Sequence, residues 1–335
     1  MGWRIYHPSE IMDIEYDEII VATSKIFYPA IKEQIVSEFG ISERRIHTFT
    51  WLLTAMRTGY QAEGRVQKNS GNPIVYDCFP FYNELDILEL RMELLNPVVD
   101  YFVLVELDKT QRWEDKPLYF DRNRDRFDQF KSKIIYIRPT EIPERPQNTY
   151  MNWALENYQR NSILDGLRGR ASSEDLILVS DVDEIPNPER ITELKNHPWL
   201  VDCDVFSFEQ KFFYYYLDFC HKTKWNGTFV TKYKNLGMPQ EWRNICGALP
   251  ELPDGGWHLS YFGGVERIGL KVNSTVESAE FKVSADDIKT RISAGKDIYG
   301  RVGAEFELEH IDVTRLDIPD VSRIRKKYPH FFYKG

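Results

Sequence analysis

The apolar run Leu176-Ile177-Leu178-Val179 leads straight into Ser180-Asp181-Val182-Asp183-Glu184. In extended backbone, residues i and i+2 face the same side. Asp181 and Asp183 are therefore expected to present two carboxylates together where the strand leaves its sheet. Like charges that close raise each other's pKa unless a cation sits between them. Oxygen donors of this kind suit a hard divalent cation, Mn²⁺ or Mg²⁺. The alternative is a pair of acids at the head of the next helix, which Asn187 and Pro188 open as N-cap and first helical residue. Two chemistries use such a pair. In one, the carboxylates hold a metal that bridges the diphosphate of an activated sugar. In the other, the first Asp is the nucleophile of a haloacid-dehalogenase-type phosphohydrolase and the second its acid. That class expects a small residue and then Thr after the second Asp, early in its domain. Here Glu184 and Ile185 follow, and the motif comes late. A nucleotide-sugar-binding module without turnover is the non-enzymatic reading.

The elements that must position this motif alternate. Residues 74–79 read as a strand, and Leu85, Leu88, Met92 and Leu95 mark one helical face. Residues 98–105 are almost continuously apolar, as in a strand covered on both sides. Residues 133–137 form another strand. A helix carrying Met151, Leu155, Tyr158, Ile163, Leu164 and Leu167 is expected to end near Gly166 and Gly169, before the strand at 176–179. This alternation predicts an α/β fold: a mostly parallel central sheet with helices on both faces. Ligands of such sheets bind beyond the carboxyl ends of the strands. Residues 138–146, rich in proline, read as a loop.

Ahead of this, residues 1–70 predict a small α/β segment, half of a Rossmann-like unit. It has a strand at 19–22 and a helix that begins near Pro29, with Ile31, Ile35 and Phe39 on one face. Gly40 is the stop, and a second strand spans 46–53. No glycine-rich phosphate loop precedes it. Its expected role is packing, or contact with a partner or a second copy. Residues 60–73 read as a linker, so the division is 1–70 and 71–335.

Several segments carry a resemblance, in order along the chain: YDCFPFYNELDILELRMELL (76–95), VVDYFVLVELDKT (98–110), KPLYF (116–120), FKSKIIYI (130–137), WALENYQRNSI (153–163), LILVSDVDEIPNP (176–188) and GWHLSYFGG (256–264). Together they resemble glycosyltransferase family 17, the β-1,4-mannosyl-glycoprotein 4-β-N-acetylglucosaminyltransferase family. The resemblance covers roughly residues 74–330. It implies a GT-A fold and an inverting transfer from a UDP-sugar, expected to be UDP-N-acetylglucosamine, with Mn²⁺ or Mg²⁺ as cofactor. Asp181 and Asp183 match the metal motif. His258 is the implied third ligand, and an imidazole would favour Mn²⁺. Arg160, in a Gln-Arg pair, is expected to hold the donor diphosphate or base, or else to pair with Glu156 one turn back. Asp77, Phe79, Asn83, Glu84 and Glu106 sit where this architecture meets its nucleotide.

An inverting transfer also needs a general base on the acceptor hydroxyl. Glu209, Glu241, Asp254 and Glu266 follow the metal strand. Asp254, in a Pro-Asp-Gly-Gly turn before Trp257-His258, is the first choice and Glu209 the second. The aromatic run 212–216 is read either as core or as a face on which sugar rings stack. Lys289, Arg291 and Lys296 are read as solvated charges.

Composition narrows the partners. The 335 residues are 42% hydrophobic and 28% charged, ordinary values for a globular protein. The formal net charge of −9, without a long basic run, argues against nucleic acid or an anionic membrane. The four cysteines form no CxxC pair and no zinc spacing. No apolar run is long enough to span a bilayer and the start lacks a signal-peptide pattern. The animal members of the family carry a membrane anchor. A soluble cytoplasmic protein of bacterial or viral type, acting on a surface glycan or glycoconjugate, is therefore the expectation.

Overall fold

In this computed structural model, residues 19–21, 28–48, 72–145, 153–201, 205–274, 283–301, 303 and 306–333 are described. The N-terminal piece is a strand–helix–strand. β1 (Ile19–Val21) pairs in parallel with β2 (Ile46–Thr48), and α1 (Tyr28–Phe39) connects them. Ile31, Ile35 and Phe39 of α1 pack with Val21, Ile41 and Ile46, as the helical spacing requires. Gly40 adopts φ +64° at the helix end and donates to Val36 O at 3.0 Å. The expected continuation of β2 past Thr48 and most of the linker, residues 49–71, lie outside the described residues.

The main sheet begins with β3 (Val75–Phe81), α2 (Leu85–Leu95), β4 (Tyr101–Glu106), α3 (Tyr119–Arg122) and β5 (Ile134–Ile137). It continues with α4 (Ala154–Asn161), α5 (Ile163–Leu167), β6 (Leu176–Val179), β7 (Glu184–Pro186) and α6 (Pro188–Asn196). Next come β8 (Phe206–Tyr214), β9 (Tyr216–Trp225), β10 (Phe229–Lys232), α7 (Pro239–Asn244) and β11 (Glu251–Ser260). Last are α8 (Gly264–Ser274), α9 (Ala285–Ser293), β12 (Leu308–His310) and α10 (Val321–Lys327). Strand order is β12-β9-β8-β10-β6-β3-β4-β5, with β11 against β7 and β8.

The half β5-β4-β3-β6 is parallel, as the alternation predicts. The other half is built mostly of hairpins: β10 runs antiparallel to β6 and β8, and β9 antiparallel to β8. β6, which carries the acidic motif, lies where the two halves meet.

The parallel strands are apolar on both sides because each feeds two cores. Phe102 and Leu104 of β4, with Leu176 and Leu178 of β6, join Leu88, Met92 and Leu95 of α2. Val103 and Val105, with Ile177 and Val179, join Ile163 and Leu167 of α5. Burying each such side chain contributes ~1.5–3 kcal/mol. Gly166 sits inside α5, not at a helix stop: a Cβ there would overlap Val103 Cγ1, so glycine lets the helix lie down on β4. The helix expected over 151–167 is broken at Ser162 into α4 and α5; Met151 is outside the described residues.

The aromatic run does not form one strand. The chain reverses at Tyr215, φ +69°, between β8 and β9. Phe213, Tyr214 and Tyr215 are buried, whereas Phe212 and Tyr216 are partly open. Lys289 is exposed as expected, but Arg291 is not simply solvated: its Nη1 donates to the carbonyls of Asp297 and Ile298 at 3.2 and 2.8 Å. Among the described residues Cys78, Cys220 and Cys246 are free thiols, and no helix is long and apolar enough to cross a membrane.

Candidate active site

The acidic motif is a turn, not a continuation of β6. Glu184 N donates to Asp181 O at 3.0 Å, so Val182 and Asp183 form the bend and Glu184 starts β7. Proximity of the two aspartates thus comes from a turn rather than from strand alternation. Asn187 caps α6 by accepting from Glu189 N at 2.9 Å, with Pro188 in the first turn, so the helix is capped without either aspartate.

A buried arginine holds this turn from beneath. Arg91 of α2 is 0% exposed and clamps Asp77 of β3 through Nε–Oδ2 at 2.8 Å and Nη2–Oδ1 at 2.5 Å. Its Nη1 donates to the carbonyls of Asp181, Val182 and Glu184 at 3.0, 3.2 and 2.8 Å. Nη2 also reaches Ser180 Oγ at 2.6 Å. A guanidinium has five donors in a fixed fork, and here they fix the path of residues 180–184.

Above the turn, each acid has a cationic partner. Asp181, 30% exposed at its side chain, accepts from Arg160 Nη2 at 2.7 Å and from Arg243 Nη2 at 2.8 Å. Burial pushes its carboxyl up, but the two guanidiniums outweigh that and hold it well below the usual range. Asp183 Oδ2 accepts from Lys271 Nζ of α8 at 2.7 Å. Burial raises its pKa as well, and the Lys271 ammonium, the largest opposing influence, reverses the shift. Lys271 is itself raised: Asp183 and Glu84 outweigh its desolvation. Like-charge repulsion between the aspartates is thus already offset by side-chain cations.

Glu184 is the third acid of the group and is fully buried. It accepts from Arg243 Nη1 and Nη2 at 2.9 and 2.8 Å, from Trp225 Nε1 at 2.6 Å, and from Asp181 N at 3.0 Å. Arg243 therefore bridges Glu184 to Asp181. Gly227 makes room for this bridge, because a Cβ there would overlap Glu184 Oε1, Trp225 Nε1 and Arg243 Nη1 at once. We expect Gly227→Ala to break the bridge. Stability should fall by about 1–3 kcal/mol, and turnover by roughly 10²-fold through misplacement of Arg243. Urea unfolding and steady-state kinetics check this; a variant with unchanged turnover would show that the bridge is dispensable.

His258 of β11 is 7% exposed, stacked on Phe212 at 4.6 Å and tilted against Trp225 at 4.7 Å. Burial lowers its pKa, which Asp183 and Glu184 only partly oppose, so the ring is neutral near pH 7. Its Nε2 lies 3.7 Å from Asp183 Oδ1, and its Nδ1 is buried without a hydrogen-bond partner. A neutral imidazole beside a carboxylate is a donor set that fits a borderline cation such as Mn²⁺. Asp181 does not join that pair in this arrangement, because both its oxygens are taken by arginines. Among the described residues no three His, Cys, Asp or Glu side chains converge as a ligand set.

Of the other expected residues, Arg160 is at the site: it pairs with Glu156 at 3.0 Å, as the second of its two readings has it, and with Asp181 at 2.7 Å, a contact the sequence did not suggest. Glu84, the N-cap residue of α2, approaches Lys271 Nζ at 3.7 Å and accepts from Asn83 N at 3.0 Å; its side chain makes no capping hydrogen bond. Asp77 and Phe79 are 0% exposed, with Arg91 clamping one and lying 4.6 Å over the ring of the other. They underpin the turn and offer no surface to uracil or ribose. Glu106 is also 0% exposed, accepts from Phe120 N and Tyr136 Oη, and has its pKa raised by burial. It ties β4 to α3 and β5 instead of facing a ligand.

The two base candidates lie on β11 and β8. Asp254 is exposed at φ +51° on a bulge of β11, not in a free turn, four residues before His258. Glu209 is half-buried on β8, and alternation turns it away from Gln210, whose amide reaches Ile185 O.

Sequence reasoning missed Arg91, Glu184, Lys271 and Arg243. Arg91 had a signal: it lies three residues after Leu88 and four before Leu95, on the apolar face. Glu184 directly follows the second aspartate. Arg243 and Lys271 come from α7 and α8, far along the chain, and only the fold brings them in.

The chain is similar to several known proteins. The β-1,4-mannosyl-glycoprotein 4-β-N-acetylglucosaminyltransferase of Rattus norvegicus is 27% identical over 126 residues, 36% of this chain and 23% of the relative. The enzyme of that name from Homo sapiens is 28% identical over 118 residues, 34% of this chain and 22% of the relative. Less than a quarter of those relatives is therefore matched. Among solved structures, the mannosyltransferase PcManGT of Pyrobaculum calidifontis, in complex with GDP-Man and Mn²⁺, is 14% identical with a TM-score of 0.34, covering 69% of this chain and 68% of that one. The family model for glycosyltransferase family 17 matches residues 49–329, reaching further toward the N-terminus than the motifs quoted above. With that match over most of its length, and the acidic turn at the end of a central strand, the chain belongs to glycosyltransferase family 17.

Proposed function

We propose that the protein is an inverting, metal-dependent glycosyltransferase that moves N-acetylglucosamine from UDP-N-acetylglucosamine to a hydroxyl of a glycan acceptor. One observation carries this reading: Asp181, Asp183 and Glu184 are gathered at the end of β6 and crosslinked by Arg160, Arg243 and Lys271. Family membership and the names of the mammalian relatives support the sugar. Fixed cations at a strand end are what a departing nucleoside diphosphate requires, since charge develops on its oxygens as the glycosidic bond breaks. Arg243 and Lys271 are partly open to solvent, with 15% and 25% side-chain exposure, and are the two placed to meet phosphate oxygens. Arg160 is nearly closed off and steadies Asp181. Asp183 and His258 are the residues that would hold a divalent cation. When bound, that cation supplies Lewis-acid stabilisation of the leaving diphosphate. Glu184 and Arg91 orient the turn from below.

The test is a panel of nucleotide sugars measured by thermal shift and turnover with Mn²⁺ present. UDP-N-acetylglucosamine at a hundred times its Kd should add about 2.7 kcal/mol, a rise of roughly 5 °C or more. Stabilisation by no nucleotide sugar, or a trapped phosphoaspartate at Asp181, would replace this reading with the phosphohydrolase one.

A further inference from the structure

The aromatic run on β8 and β9 leaves one ring, Tyr216, only partly covered by the core it packs against. Tyr214 and Tyr215 pack against α8 and α9 with Ile268, Val272, Ile288 and Ile292. Phe212 is stacked between His221 and His258. Tyr216, just past the reversal, instead opens onto a cleft of about 370 Å³. Tyr333, its ring 5.4 Å from that of Tyr216, forms another wall. Val265 of α8 and Lys289, Thr290 and Ser293 of α9 complete it. The volume lies at the small end of the roughly 300–1,000 Å³ of ligand pockets.

We propose that this cleft is a carbohydrate subsite that seats a sugar ring of the acceptor, away from the transfer centre. Tyrosine offers an apolar face for the C–H side of a pyranose and a polar tip for its hydroxyls. Two half-buried tyrosines meet at 54°, so a ring can lie on one face and against the edge of the other. Lys289, on a 65%-exposed side chain, donates to Asp286 Oδ1 at 3.4 Å and keeps two further N–H groups for a ligand. The hydroxyls of Thr290 and Ser293 donate to the carbonyls of Asp286 and Thr290 at 2.8 and 3.0 Å, which leaves their oxygens as acceptors for sugar O–H groups. Among the described residues no carboxylate lines the cleft itself, and the nearby Asp286 is paired with Lys289. Its position also suits an acceptor. Val265 and Lys271 share α8, and six residues of helix separate the cleft wall from the ammonium on Asp183, a rise of about 9 Å. A short oligosaccharide spans that.

The acceptor role rests on the glycosyltransferase reading; the binding of sugar does not, and the two are measured separately. Binding of N,N′-diacetylchitobiose and of mannobiose to the full chain is followed by ligand-observed NMR. UDP-N-acetylglucosamine turnover is followed in parallel. Tyr216→Ala, and Ser293→Arg on the exposed face of α9, should each weaken disaccharide binding at least tenfold and raise the acceptor KM by a similar factor. The donor KM should be unchanged in both. Tyr216→Phe, which keeps the ring, should restore most of the binding lost in Tyr216→Ala. Neither disaccharide binding the wild type, or equal binding by wild type and both variants, overturns the cleft assignment. Loss of disaccharide binding in the variants with no donor turnover by any form would leave the cleft standing and remove the transferase reading.

Discussion

Asp183→Asn should leave a folded protein with transfer reduced at least about 10³-fold, which corresponds to ~4 kcal/mol of lost transition-state stabilisation. The substitution keeps the side-chain shape and removes the charge. Three things depend on that charge: Lys271 is held at 2.7 Å, the neutral His258 ring faces it at 3.7 Å, and no other carboxylate of the turn is free of a guanidinium. Lost charge therefore loosens the phosphate-facing lysine and removes the oxygen half of the cation pair together. Asp181→Asn should be milder, because Arg243 keeps two contacts to Glu184 without it. Steady-state kinetics with UDP-N-acetylglucosamine, beside a circular-dichroism melt to confirm the fold, decides the point. Residual activity of Asp183→Asn above a tenth of wild type would rule out the role given to this residue.

Arg91→Met should be the most destabilising single change at the site. The substituted chain is apolar and similar in length, so packing is largely kept. Asp77 is left fully buried without its partner, and the carbonyls of Asp181, Val182 and Glu184 lose their donor. Removing one member of a buried ion pair costs about 3–5 kcal/mol. For a domain of this size that lowers the melting temperature by roughly 10 °C. Replacing both members by apolar residues avoids the stranded charge, so Arg91→Met with Asp77→Leu should recover part of the loss in a double-mutant cycle. It should not recover turnover, since the turn would still lack support. A loss below about 1 kcal/mol for the single variant would mean that water or another group solvates Asp77.

The same two residues show where the sequence speaks and where it stops. Local pattern governs whatever repeats over a few residues. The apolar run at 176–179, the α2 stripe, the Asn187-Pro188 cap and the strand–helix–strand before residue 49 are all present in the fold. The parallel half of the sheet follows from that alternation, whereas the antiparallel half does not. Two of its strands, β8 and β9, are joined by a reversal at Tyr215, a residue with no turn signature. The acids of the site were legible because they directly follow a buried strand. Their partners were not, because charge compensation is a long-range matter: Arg243 is 62 positions from Asp181 and Lys271 is 88 from Asp183. A sequence shows two carboxylates and invites a metal between them; the fold supplies arginine and lysine first. Asp77, Phe79 and Glu106 were misplaced for the opposite reason. They lie on strands that point toward the site, but alternation and neighbouring cations draw their side chains inside.

The most direct measurement of the central claim is a crystal structure with UDP and Mn²⁺. The diphosphate should lie against Arg243 and Lys271, with the cation on Asp183 and His258. A nucleotide bound elsewhere on the chain, with Arg243 and Lys271 still locked on the aspartates, would contradict it.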